Sequence, residues 1–482
     1  MAEITNIAYR NTAAFIEAMP KKQRKEYGQF FTSVHTADFM ASLFDITTKK
    51  HINILDAGSG SGILGIALVA HLREKGYTGE ILLVCYETDE NVIPILEKNL
   101  TIAIERYGIT YTIKQENYIT SQDFSSEEYS DLFDLVIGNP PYKKISKDAI
   151  EAKSIPSVCY GAPNLYFLFW AMGLKNLKEG GEMVYIIPRS WTSGAYFERF
   201  RAFLLQNGAI IHIHLFGSRD KVFDGESVLQ ETIIVKIKKT TIKPENVEMT
   251  YSTTSDFSDI ISYPVKYDSV VGANGYVYLI TNKEEEDVLG RLGKFDNTLV
   301  SDNLRMKTGL IVDFRTREVL RNEPSDDTYP LLYSQHIKNG RVHWPIGKEA
   351  EYIDTTRNSF LQENTNYLLV KRFTAKEEKR RLQCGIYLKK DHPDFEYIST
   401  QNKVNFIKCE TPELAYGLFV IMNSTIYDTY YRILNGSTQV NSTEINNMPV
   451  PDAKTISAMG KQIMTMELTE NNCNKILKQW TR

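Results

Sequence analysis

Between Asn53 and Lys238, short runs of β-branched and aromatic residues alternate with longer stretches whose apolar residues recur every three or four positions. The runs "INILDAG", "EILLVCYE", "LFDLVIGN", "EMVYIIP", "IIHIHLF" and "ETIIVKIKK" predict strands. Between them "GILGIALVAHLRE", "NVIPILEKNLTIAIERYG", "LYFLFWAMGLKNLKEGG" and "FERFRAFLLQNG" predict helices, the third closed by Gly180-Gly181 as helix C-termini often are. Alternation on this scale indicates an α/β fold built on a doubly wound, mostly parallel, Rossmann-like sheet. After "KKTTIKPENVEMTYSTTSD" the rhythm is lost, Tyr, Thr, Ser, Asn and basic residues dominate, and helical spacing returns only near Thr411. There "ELAYGLFVIMNSTIYDTYYRIL" and "ISAMGKQIMTMELTENNCNKILKQW" predict helices. The pattern therefore divides the chain near Glu245, into residues 1–245 and a mixed α+β part, 246–482, with the stretch to Gly272 as an adapter.

A length of 482 residues supports two to three hydrophobic cores, consistent with that division. The net charge of −4 advertises no polyanion partner, so any nucleic-acid surface must arise from local segregation of charge. The five cysteines are odd in number, widely spaced and without a CxxC pair, which argues against a disulfide framework and a zinc site; no metal is expected. No stretch reaches about 18 apolar residues, and the N-terminus lacks a basic-then-apolar signal. A soluble cytoplasmic protein with no membrane partner is expected.

Three strand ends carry candidate chemistry. "ILDAGSGSGILGIAL" ends a strand at Asp56-Ala57 and turns through Gly58, Ser59 and Gly60 into a helix. Such a turn lets a ligand approach the backbone at a helix N-terminus, and by itself fits a nicotinamide or flavin site as well. Glu87, closing the next strand in "EILLVCYETD", is placed to accept hydrogen bonds from ribose hydroxyls, although a solvated acid is the plainer reading. Third is "DLVIGNPPYKKI". Pro140 and Pro141 cannot continue a central strand, so the chain must leave the sheet as a rigid loop that exposes carbonyls and the Tyr142 ring. An exocyclic amino nitrogen is a poor nucleophile because its lone pair is delocalised. Two acceptors aimed at its hydrogens, the Asn139 side-chain oxygen and the Pro140 carbonyl, would favour a tetrahedral nitrogen, with Pro141 fixing the loop and Tyr142 stacking on the target.

These motifs resemble those of the γ-class N6-adenine DNA methyltransferases, the TaqI-like group. "YGQFFTSVHTADFMASLF" is similar to that family's motif before the glycine turn, with Ser33 where proline is common. The resemblance implies S-adenosylmethionine as cofactor. It implies that Phe31 and Thr32 close over the cofactor, that Asp56, Ala57 and Gly58 to Gly60 line it, and that Glu87 holds its ribose. Asn117 and Tyr118, in "QENYIT", would meet its adenine; the family usually has Asp-Phe there. The likeness continues through "NLYFLFWAMGLKNLKEGGEMVYIIPRSW" and "KVFDGESVLQETIIVKI", which implies Phe169 near the methionine moiety and Phe223 against an extruded base, a role for which Phe216 competes.

In the second half, Lys371 to Lys390 holds eight Lys or Arg against two Glu. A solvated charged face is the usual meaning of such a run. Beside a base-modifying domain the expectation becomes phosphate neutralisation by Arg372, Arg380 and Arg381. "NGSTQVN" follows a predicted helix, where Thr438, Gln439 and Asn441 could meet phosphates or base edges, or form an ordinary capped loop. With "KTGLIVDFR" and "PLLYSQHIKNGRVHWP", this stretch resembles the target-recognition region of the PstI and BsuBI type of modification methyltransferase.

Residues 1–245 are thus expected to form the catalytic domain and 246–482 the target-recognition domain of a site-specific adenine methyltransferase acting on double-stranded DNA by base flipping. The resemblance implies the modification half of a type II restriction-modification system, a restriction endonuclease acting separately, and a palindrome such as CTGCAG. Gly28 comes early, so no fused nuclease is expected ahead of the cofactor motif. Two other readings remain open: an N-methyltransferase of ribosomal RNA or protein glutamine, since NPPY loops serve those too, and a DNA-binding subunit without turnover.

Overall fold

The computed structural model describes residues 2–18, 32–217, 232–375, 377–436 and 438–481. They form two compact units, Met1–Thr281 and Asn282–Arg482.

The first unit is built on a nine-stranded sheet. Its strands are β1 (His51–Ala57), β2 (Glu80–Tyr86), β3 (Thr110–Lys114), β4 (Phe133–Gly138), β5 (Leu177–Pro188), β6 (Ala209–Phe216), β7 (Thr232–Lys238), β8 (Asn246–Ser252) and β9 (Ile261–Lys266). The order is β3-β2-β1-β4-β5-β7-β6-β8-β9. Strands β3 to β5 run parallel, and β7 pairs antiparallel with β5 and with β6. The central strands read as near-continuous apolar runs because both faces of the sheet are covered. On one side Ile52, Ile54, Leu83 and Cys85 join the core formed with helices Ala2–Ala18, Val34–Ser42, Ile63–Glu74 and Ile93–Tyr107. On the other, helix Leu165–Asn176 brings Trp170 against Tyr185 and against Trp191 and Phe200.

Three expectations are corrected. The division expected near Glu245 falls at Thr281, because β8 pairs parallel with β6 and β9 antiparallel with β8, burying Val247, Met249 and Val265. Residues 246–266 thus extend the first sheet. The helix expected to run to Gly180-Gly181 ends at Asn176, and Gly180 (φ +75°) instead sits within β5, where pairing with β4 slips between Phe133 and Leu135. Finally, each long helix near the C-terminus is two: Pro412–Met422 and Thr425–Leu434, then Ala453–Ile463 and Glu470–Leu477.

The second unit holds a six-stranded and a five-stranded sheet. Strand Asn366–Lys371 lies in the former, antiparallel to both Val404–Cys409 and Cys384–Tyr387. Helices Pro412–Met422 and Ala453–Ile463 cross in backbone contact: a Cβ at Gly417 would run into the Ile456 carbonyl and one at Gly460 into that of Glu413. All five cysteines are free thiols. Among the described residues no helix is long and apolar enough to cross a membrane.

Candidate cofactor and catalytic site

Strand order reverses beside β1, whose neighbours are β2 and β4, and in open α/β sheets ligands bind at the carboxyl ends of strands where this happens. The three motifs found in the sequence leave from those ends. Asp56 and Ala57 close β1, Glu87 follows β2, and Asn139 follows β4. Asp56 is level with Ile137 across the β1–β4 ladder, so the glycine turn and the NPPY loop emerge side by side.

The turn is tied to β2. Gly58 and Ser59 N–H both donate to Tyr86 O, at 2.9 and 3.0 Å, and Gly60 N–H donates to Glu87 Oε2 at 2.8 Å. Glu87 Oε1 accepts from Thr88 and Asp89 N–H, at 2.7 and 2.9 Å. Three amides of the turn are therefore committed within the protein, whereas a dinucleotide pyrophosphate would need them itself. At Gly58 (φ +71°) an added Cβ would stand 3.4 Å from the Phe169 ring and 3.9 Å from Pro141, in the space a ligand would take. Asp56 is buried, with Oδ2 accepting from Gly65 N–H at 2.9 Å and Oδ1 without a hydrogen-bond partner among the described residues. Burial first, and the neighbouring Glu87 charge second, push its carboxyl up to about 7, opposed by the Gly65 hydrogen bond. Burial likewise raises Glu87 against its three backbone donors. An unpartnered buried carboxylate oxygen, a second carboxylate and a turn with three of its amides already committed suit a ligand that is cationic and lacks phosphate, as S-adenosylmethionine is.

The turn and loop border a cleft of about 240 Å³. Of the residues expected from sequence, Thr32, Gly58, Ser59, Gly60, Glu87, Asn117, Tyr118, Asn139, Pro141 and Phe169 line it. Asp56, Ala57 and Pro140 are buried and are not among the lining residues. Asn139 Nδ2 donates to Thr32 Oγ1 at 3.2 Å, which assigns the orientation of the amide. Tyr142 stands to one side, its hydroxyl donating to Ile186 O at 3.0 Å and its ring edge-to-face with Tyr166. The Tyr118 ring packs against Tyr86 and Phe169, and its hydroxyl donates to Asn176 Oδ1. Asn117 is turned toward its own loop, accepting from Ile119 and Thr120 N–H and donating to Glu151. Phe31 and Phe223 lie outside the described residues.

Tyr86, Thr88, Glu116, Lys143, Glu151 and Leu165 also line the cleft and were not foreseen. Four of them adjoin a recognised motif, so extending each motif by one residue would have found them. Leu165 opens the predicted helix that also carries Phe169, four residues on, whereas Glu151 comes from a stretch without a sequence signal.

In the second unit the basic run does not behave as one surface. Arg381 is fully buried: its Nε donates to Thr374 Oγ1, Nη1 donates to Asn435 O, and its guanidinium lies 5.6 Å from the Tyr431 ring centroid. Arg380, mostly buried, pairs with Glu470 at 2.8 Å and donates to the carbonyls of Met422 and Ser424 at a helix junction. The phosphate role expected of both is corrected: these guanidiniums hold the fold. Arg372 stays half-exposed, its Nη1 donating to Asn402 O and its guanidinium over the exposed Phe373 ring. Residues 438–440 pair with that segment as a short ribbon, through the Phe373–Gln439 bridge, Thr374 N–H to Thr438 O and Val440 N–H to Arg372 O. Val440 points inward, Thr438 is exposed, and Gln439 and Asn441 are half-exposed. Asn441 N–H donates to the Tyr431 hydroxyl.

The family described as Eco57I restriction-modification methylase matches residues 77–223, which include Glu87 and the NPPY loop. The type II methyltransferase M.PstI of Providencia stuartii is 33% identical over 95% of this chain and 93% of its own length. M.BsuBI of Bacillus subtilis is 34% identical over 92% and 91%. Among solved structures, the type IIL restriction-modification enzyme MmeI, in complex with DNA, superposes with a TM-score of 0.54 at 11% identity, covering 89% of this chain and 70% of that one; this is a likeness of fold. Two relatives alike over nearly their whole length carry more weight than any single motif: the chain belongs to the type II restriction-modification methyltransferases, with S-adenosylmethionine as methyl donor.

Proposed function

We propose that the protein methylates N6 of adenine within a short duplex DNA sequence, after swinging the base out of the stack. The observation that carries this reading is the NPPY loop at the carboxyl end of β4, beside the cofactor cleft, with the Asn139 amide oriented by Thr32. Bound S-adenosylmethionine supplies an electrophilic methyl group on a sulfonium. Asn139 Oδ1 and the Pro140 carbonyl accept the two amino hydrogens of the target, which draws the nitrogen lone pair out of the ring and toward the methyl. Tyr142, its hydroxyl held by Ile186 on β5, offers a ring for the planar base to stack on. A cytosine C5 mechanism would require a cysteine nucleophile, and four of the five thiols are buried.

Support for duplex DNA as substrate comes from the relatives, which are restriction-modification methyltransferases, and from the ribbon formed by Arg372–Thr374 and Thr438–Val440. There a half-exposed arginine and an exposed aromatic stand beside Gln439 and Asn441, which project on the side opposite Val440. Long-read modification mapping of DNA from cells expressing the protein tests the whole reading. N6-methyladenine at one short motif is expected, with CTGCAG the first candidate; methylated cytosine, or no DNA mark, would overturn it.

Two substitutions separate cofactor from target. Glu87→Ala should weaken S-adenosylmethionine binding by about 10- to 100-fold, through loss of hydrogen bonds to a charged acceptor worth roughly 1.5–3 kcal/mol. Calorimetry on the variant decides it, and an unaltered Kd places the ribose elsewhere. Gln439→Ala with Asn441→Ala should relax sequence choice, each lost base contact costing about 1–3 kcal/mol of discrimination, while cofactor affinity and nonspecific DNA binding persist. If the folded double variant methylates the original motif alone, at the original rate, the pair is scaffold.

A further inference from the structure

We propose that the Glu151 carboxylate, rather than Asn117, accepts the amino group of the cofactor's adenine. The inference rests on placing S-adenosylmethionine in the cleft between Gly58 and Phe169. Glu87, after β2, marks the ribose end, so the base extends toward the end of β3, where Asn117 and Tyr118 line the same cleft. An adenine amino group is a donor and needs an acceptor there.

Asn117 is poorly placed to serve. Its Oδ1 accepts from Ile119 N–H at 3.0 Å and Thr120 N–H at 3.2 Å, the two bonds that close its own turn. Because two amide hydrogens point at that oxygen, the side chain cannot be flipped without losing both. Its nitrogen therefore faces outward and donates to Glu151 Oε1 at 3.0 Å. A carboxylate held by one donor keeps further lone pairs. Glu151 belongs to the short helix Ile150–Ser154, is half-buried and lines the cleft. Glu116 also lines it but is exposed and, among the described residues, has no hydrogen bond that would orient it. Asn117 thus acts as a positioning residue and Glu151 as the reader. As an acceptor without hydrogens of its own, the carboxylate favours an amino group at position 6 of the purine over an oxo group, that is, adenine over hypoxanthine.

The test is calorimetry of the full-length protein with S-adenosylhomocysteine and with its inosine counterpart, so that it reads binding and not turnover. The wild-type protein should prefer the adenine form by roughly tenfold or more, the worth of one hydrogen bond to a charged acceptor. Glu151→Ala should weaken the adenine form to the level of the inosine form. Glu151→Gln, whose amide can also donate to the oxo group, should remove the preference with less disturbance of packing, and serves if the alanine variant does not fold. A preference retained in a folded Glu151 variant overturns the assignment. Glu87→Ala, measured in parallel, tells which level failed. Weakened binding of both forms leaves the cleft as the cofactor site and indicts Glu151 alone; unchanged binding of both removes the cleft and the assignment together.

Discussion

Asn139→Ala should lower methyl transfer by about 100-fold or more while the Kd for S-adenosylmethionine stays nearly unchanged. Removing one preorganised acceptor at a reacting centre typically costs 10²–10³ in rate. The side chain reaches the cofactor cleft at its edge, where its nitrogen is already satisfied by Thr32 Oγ1. Single-turnover methylation of a duplex, with cofactor binding followed by calorimetry, separates the two effects. Tyr142→Ala should show the same split, since that ring lies outside the residues lining the cofactor cleft. An alanine variant at 139 with near-normal turnover would remove the residue from the chemistry. One that loses cofactor binding as well would assign the side chain to the cofactor rather than to the target base.

Arg381→Ala should cost stability, on the order of 3 kcal/mol, and leave the salt dependence of DNA binding in the surviving folded fraction unaltered. The fully buried guanidinium donates to Thr374 Oγ1 and to Asn435 O, whereas the main-chain N–H of Arg381, which alanine keeps, donates to Asp428 Oδ1 at 2.8 Å. Truncating one member of a buried charged network strands the remaining polar groups, which typically costs 3–5 kcal/mol. Chemical denaturation followed by circular dichroism measures the loss. Arg372→Ala should do the reverse, keeping stability and reducing the salt slope by about one. If Arg381→Ala unfolded at the wild-type midpoint but flattened the salt dependence, the residue would be a phosphate contact after all.

That contrast explains what the sequence disclosed. Strands β1, β2 and β4 were legible because parallel strands covered on both faces must be continuously apolar, and Asp56, Glu87 and Asn139 were legible because each interrupts such a run at its carboxyl end. Adjacency in sequence then translates directly into adjacency at the sheet edge. Arg380 and Arg381 were misread because counting charge sees no burial: their partners, Asp428, Asn435 and Glu470, lie about 50 to 90 residues further along the chain. Glu151 was invisible for the same reason, since only the folded turn at Asn117 gives it a role. The boundary was set too early because residues 246–266 are polar enough to read as a linker, yet β8 and β9 close an edge of the sheet. Gly180 misled in the opposite sense, as a glycine that serves a strand irregularity looks in sequence like a helix cap.

If the ribbon joining Arg372–Thr374 to Thr438–Val440 reads DNA as proposed, it bears on how a recognition sequence could change hands between relatives. Its two sides lie more than 60 residues apart in the chain, yet they share the Phe373–Gln439 bridge and the hydrogen bonds on either side of it. Recombination with a crossover between residues 375 and 437 would join one parent's aromatic side to the other parent's amide side, and the hybrid would inherit neither specificity. Productive exchange must move residues 371 to 441 as one cassette, which includes Tyr431, whose hydroxyl receives the Asn441 N–H. Homologues with different target sites should accordingly differ on both sides of the ribbon together, and a library that randomises only one side should return mostly inactive or unselective enzymes.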